Sequence, residues 1–141
     1  MNDMDSENNI IKRCASGMEQ EGLGEQQKAA ELFNQAWAMA STDYEKAIAA
    51  HYVARHQPDV RQKLNWDVLA LKHAECSEED VKGFFPSLYL NIAKGYEDLG
   101  EKEHALHHYH LALGCVEQMG DDGYAKMIRA GIEAGIKRVS G

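Results

Sequence analysis

Proline is nearly absent: Pro58 and Pro86 are the only two among 141 residues, and each falls where a helix is expected to begin. Valine, isoleucine and threonine are few, whereas Ala, Leu, Glu, Lys and Gln abound, so an all-helical chain is expected. No apolar run approaches the roughly 18 residues that a bilayer-spanning helix needs, which argues against a membrane role. Cysteine is limited to Cys14, Cys76 and Cys115, odd in number and far apart. They fit a reducing compartment rather than a disulfide scaffold. The opening MNDMDSENN is acidic and polar, unlike a signal or transit peptide, so a cytoplasmic location is expected. Positive charge is short too. Fifteen Lys and Arg face 23 Asp and Glu for a formal net charge of −8, which disfavours a phosphate backbone as partner and excludes a general nucleic-acid role. There is no Gly-x-Gly-x-x-Gly, no Gly-x4-Gly-Lys-Ser/Thr, no Gly-x-Ser-x-Gly and no Cys-x2-Cys. Nucleotide-dependent and Rossmann-type enzymes therefore lack support, and no catalytic residue, cofactor or resident metal is expected.

What the chain does have is a 44% hydrophobic composition with helical spacing, enough for one domain with its own core. The most regular stretch is residues 86–119, PSLYLNIAKGYEDLGEKEHALHHYHLALGCVEQM. Tyr89, Ile92, Ala93 and Tyr96 fall at i, i+3, i+4 and i+7, one face of a helix. Gly100 closes that helix, and Ala105, Tyr109 and Ala112 form the facing stripe of a second. Alanines there let two helices approach while tyrosines fill the space between them. This stretch resembles the tetratricopeptide repeat, a helix–turn–helix unit with a period of 34 residues. Counted from Pro86, the family's signature positions 4, 7, 8, 11, 20, 24 and 27 carry Tyr89, Ile92, Ala93, Tyr96, Ala105, Tyr109 and Ala112, and Gly100 stands at position 15. The string DYEKAIAAHYVARHQ is similar to that of a small group of bacterial tetratricopeptide-like proteins.

The resemblance implies an α–α superhelix of about three helix pairs followed by a cap helix, expected over residues 8–41, 42–85, 86–119 and 122–139, behind a tail of residues 1–7. In the first pair, Ile11, Cys14, Ala15 and Met18 are matched to the Tyr89–Tyr96 stripe, and Ala29, Phe33 and Ala36 to the alanine–tyrosine stripe. In the second pair Ile48, Ala49 and Tyr52 match Ile92, Ala93 and Tyr96, although Tyr44, Ile48 and His51 form a face as well. Leu64, Val68 and Leu71 are expected on the buried side of the fourth helix. Residues 76–83 are expected to hold the extra length of the second repeat as a short helical turn. Trp37, Trp66, Phe84 and Phe85 are read as packing residues.

A stack of such units makes a groove rather than a catalytic cleft. The resemblance places Ser87, Leu90, Asn91, Lys94, Glu97 and Asp98 of the third repeat on the concave face. From the first come Lys12, Arg13, Ser16, Glu19 and Gln20, and from the second Lys46, Ala47, Ala50, Val53 and Ala54. Lys12, Arg13, Lys46, Asn91 and Lys94 are then expected to form a locally positive patch in an acidic protein, suited to an acidic peptide or a chain-terminal carboxylate, and with Glu97 and Asp98 they define a groove for a peptide or protein segment. The five-residue carboxylate clamp of the chaperone-binding subset is met by Lys12 alone, with Ser16, Ala47, Ser87 and Asn91 in the other places. So the expected function is a protein–protein interaction module, with self-association into a homo-oligomer as a variant. The alternative is a small metal-dependent protein or enzyme. His51, Arg55 and His56 form one polar cluster for it, near Asp43, Glu45 and Asp67. His104, His107 and His108 share one helix face and form another.

Overall fold

The structure, a computed structural model, describes residues 8–120 and 122–140. The tail expected over residues 1–7 lies outside the described residues. Those described are all-helical, with seven α-helices and no strand. They are α1 (Asn9–Gly22), α2 (Gln26–Met39), α3 (Asp43–Val53), α4 (Val60–Cys76), α5 (Phe85–Asp98), α6 (Lys102–Val116) and α7 (Gly123–Ser140). Single 3-10 turns, Ala54–His56 and Lys82–Phe84, follow α3 and precede α5.

Local signals set the ends. The Asn8 side chain accepts from the Ile10 and Ile11 amides to cap α1. Thr42 and Glu45 form a reciprocal capping box on α3. Asp59 caps α4 from just outside it, so Pro58 sits before the cap rather than in the first turn. Pro86 lies within the first turn of α5, where a missing N–H goes unused. Gly24 and Gly100 both have φ of 81°, a left-handed conformation that reverses the chain tightly between α1 and α2 and between α5 and α6.

Each helix packs chiefly on its chain neighbours, with further contacts of α1 with α3 and of α5 with α7. The buried apolar side chains fall into three successive clusters. Ile10, Cys14, Ala29, Phe33, Ala36, Ala49 and Val53 form the first. Ala47, Ala50, Ala70, Ala74, Val81 and Leu88 form the second. The third gathers Ala93, Ala105, Tyr109, Ala112, Val116 and four residues of α7. Trp37 and Trp66, edge to face at 5.1 Å, pack against both the first and second clusters.

The α1–α2 and α5–α6 pairs repeat each other at a separation of 76 residues. Gly17, Gly24, Ala29, Phe33 and Ala36 stand where Ala93, Gly100, Ala105, Tyr109 and Ala112 stand, and α1 and α5 are both 14 residues long. This sets α1 two residues away from the expected match. Its buried stripe is Ile10, Cys14 and Gly17, while Ala15 and Met18 are exposed. The shift follows from packing: the Phe33 ring lies so close to Gly17 that a Cβ there would collide with it. On α4 the buried side is Leu64, Asp67, Ala70 and Ala74, whereas Val68, expected inside, is 41% exposed.

Candidate functional site

An open cavity of about 490 Å³ lies between α1, α3, the start of α5 and the first turn of α7. From α1 it takes Ile11, Cys14, Ala15 and Met18, and from α3 Tyr44, Ala47, Ile48, His51 and Tyr52. Phe84, Ser87, Leu88 and Tyr124 complete it. The α1 set and the first four residues of the α3 set share the spacing i, i+3, i+4, i+7, so each helix offers one continuous face. With α1 in its observed register, Ile11 is equivalent to Ser87. Faces of α1 and α3 and the first turn of α5 therefore meet at one cavity, and the residues of α1 that reach it are two positions away from Lys12, Arg13 and Ser16. The face of α3 that lines it is the alternative one, Tyr44, Ile48 and His51.

No Lys, Arg, Asp or Glu lines this cavity among the described residues. His51 is the sole imidazole on the lining. Burial, helped by the nearby positive charges of Arg55 and Lys63, pulls its pKa from 6.5 to about 4, so the ring is neutral near pH 7. Its Nδ1 is buried without a hydrogen-bond partner. Burial likewise pushes the Cys14 thiol up to about 11, which keeps it un-ionised and poorly nucleophilic. At the mouth, Met18 is 45% and Tyr124 44% exposed, and Met127, one turn along α7 from Tyr124, is 63% exposed.

The basic residues expected in the groove are distributed elsewhere. Lys12 and Arg13 line a separate depression of about 240 Å³ with Asn9, Ser16 and Leu32. The Arg13 guanidinium donates to Gln35 Oε1 at 2.9 Å. Lys94 pairs with Asp98 at 2.6 Å on the surface of α5. Glu97 accepts from the Tyr109 hydroxyl at 2.6 Å and from Arg138 Nε at 2.7 Å, which ties α5, α6 and α7 together. The Arg138 hydrogen bonds hold the Glu97 carboxyl below the usual carboxylate range. Lys46 and Asn91 are half-buried and do not reach the cavity lining.

The His51, Arg55 and His56 cluster divides. Arg55 and His56 turn to Glu21 of α1, at 2.9 and 2.7 Å, while His51 faces the cavity. The carboxylates expected beside them serve other partners: Asp43 meets His73, Glu45 the Asn8 side chain, and Asp67 Lys63. On α6, His104 and His108 lie against the Tyr96 ring, and His108 Nδ1 bonds the His104 carbonyl at 2.8 Å. No group of three or more His, Cys, Asp or Glu among the described residues is arranged to hold a metal ion. Glu21, Phe84, Leu88 and Tyr124 were not legible as site residues. The one signal that would have fixed the lining of α1 is the recurrence of glycine five residues before an Ala-x3-aromatic-x2-Ala stripe, at Gly24 and at Gly100.

No family model, no curated protein and no solved structure matches the chain. Among the described residues no helix is long and apolar enough to cross a membrane.

Proposed function

We propose that the chain is a tetratricopeptide-like binding module, a short superhelix of three helix pairs and a cap helix, that holds a segment of another polypeptide in its concave groove. The observation that carries this reading is the cavity lined by matching faces of α1 and α3 and by Ser87 of α5. A cavity walled by one face each of α1 and α3 and by the first turn of α5 is compatible with a stack of helix pairs. The 76-residue recurrence of the α1–α2 and α5–α6 pairs supports the same reading. In this view the protein is a non-catalytic adaptor of the cytoplasm, of the kind found in bacteria, and self-association through its end faces is a variant of the same activity.

The enzymatic alternative has one observation in its favour, the His51 ring on the cavity wall. A general base needs an orienting partner or a second titratable group, and Arg55 and His56 are both engaged by Glu21 instead. The test is selection of a phage-displayed random peptide library on the protein, with counter-selection on Ala15→Trp, whose indole would occupy the cavity from the exposed side of α1. Enrichment of peptides that bind wild type and not the variant is expected. A library yielding no peptide that distinguishes the two proteins would remove the reading.

A further inference from the structure

The chemistry of the cavity also specifies its occupant, an inference that rests on the binding-module reading. The wall carries no formal charge, and His51 is neutral near pH 7. A charged side chain entering it would lose its hydration without gaining a counter-ion, so the inserted groups are uncharged and apolar. At about 490 Å³ the space exceeds what one aliphatic side chain fills.

The form of the occupant follows from hydrogen bonding. Each residue of an extended strand carries a donor and an acceptor that must be satisfied once buried. The polar side chains on the wall are those of Cys14, Tyr44, His51, Tyr52, Ser87 and Tyr124, and Ser87 Oγ already donates to the Phe84 carbonyl at 3.1 Å. Among the described residues there is no strand, so no sheet edge borders the cavity. A helix satisfies its own backbone and presents side chains alone. The mouth points the same way. Met18 and Tyr124 are wall residues that remain about half exposed, and Met127 extends the apolar surface along α7. A small molecule enclosed in the cavity would leave that surface wet, whereas a helix running past the mouth covers it. Methionine there adapts to the irregular relief of a helix face. The chain as a whole carries a formal charge of −8, which favours and steers a cationic partner.

We propose that the groove between α1, α3 and α7 receives an amphipathic helix of a partner protein, apolar side inward with large aliphatic or aromatic anchors, and basic side outward.

The probes are three fluorescein-labelled peptides of about 16 residues. One is an amphipathic Leu/Lys helix, the second has Glu in place of each Lys, and the third is a scramble of the first that keeps its composition and loses its helical periodicity. Anisotropy titrations on wild type should place the Leu/Lys helix tighter than either control by about tenfold or more. Ala15→Trp should weaken it by a similar factor while the thermal midpoint of the protein is retained. Binding of the scramble as tight as that of the helix, or binding unaltered by Ala15→Trp, would reduce the effect to general attraction between opposite charges and overturn the proposal. Tighter binding of the Glu peptide would overturn it as well. If the Leu/Lys helix fails while library selection returns peptides excluded by Ala15→Trp, the assigned chemistry is wrong and the binding-module reading stands. Failure of both experiments removes both.

Discussion

At the scale of single residues, His51 and Gly135 show how position rather than identity decides the role. A histidine whose folded pKa lies below its unfolded value costs stability when protonated, because the unfolded chain takes up the proton first. For His51 the two values are about 4 and 6.5. Its neutral form is fully compatible with the fold above the upper value, and stability is lost as pH falls through the window between them. The full loss is on the order of 3 kcal/mol at most. Glu45 and Glu97 also lose native interactions on acidification, so the informative quantity is the difference between wild type and His51→Gln. Chemical unfolding at a series of pH values should show the wild type losing more stability than the variant on going from about pH 7 to about pH 4. Parallel curves would mean that the ring is hydrated in the native state. Gly135 is a matter of space: a Cβ there would collide with the Tyr109 ring, itself fully buried. Gly135→Ala gains helix propensity but displaces a tyrosine that hydrogen-bonds Glu97, and a net loss of about 1–3 kcal/mol is expected in a urea melt. An unchanged or raised midpoint would show that the α6–α7 contact can relax.

At the scale of elements, the sequence was readable where a signal is local and ambiguous where packing chooses among faces. Capping residues, turn glycines and apolar spacing placed all seven helices, and Ala29, Phe33, Ala36, Ala105, Tyr109 and Ala112 are indeed wholly buried. Rotation of α1 about its axis was not readable, because two apolar stripes run along it: Ile10, Cys14 and Gly17 toward Phe33, and Ile11, Ala15 and Met18 toward the cavity. Periodicity alone cannot say which stripe is core when both are apolar. The same duplication on α3 left Tyr44, Ile48 and His51 as a second face, and that face lines the site. Contacts such as Glu21 with Arg55 and His56 join residues far apart in the chain and leave no local trace. The capping box of α3 is a local signal with a measurable weight. Thr42→Ala removes the acceptor that receives the Glu45 amide and should cost about 1 kcal/mol. Because α3 supplies the largest share of the cavity wall, any probe that enters the groove should bind more weakly to this variant in proportion to the loss of helix order, as read by circular dichroism. A Thr42→Ala protein as stable as wild type would assign the start of α3 to tertiary packing instead.

At the scale of the whole molecule, the arrangement of its core governs how the chain comes apart. The third cluster draws on α5, α6 and α7 and on nothing from α1 or α2, while the first cluster contains nothing from α5 to α7. Stability is thus assembled mainly from neighbour contacts, and a defect at one end is transmitted chiefly through the α3–α4 pair between them. Ile132 of α7 is fully buried in the third cluster. Ile132→Ala removes methyl and methylene groups from that packing and should cost about 2–5 kcal/mol in the region where they pack. If the ends open separately, amide hydrogen exchange in α6 and α7 will accelerate strongly while amides of α1 and α2 retain most of their wild-type protection. A uniform acceleration across all seven helices would mean that the clusters open as a single unit, and the neighbour-by-neighbour account of stability would fail. The distinction bears on the groove, since its wall joins α1 at one end, α3 in the middle and Tyr124 at the other end. Separate opening lets Tyr124 and Met127 move with α7 while the α1 and α3 wall stays formed. The groove would then admit a bulky occupant without unfolding the helices that recognise it.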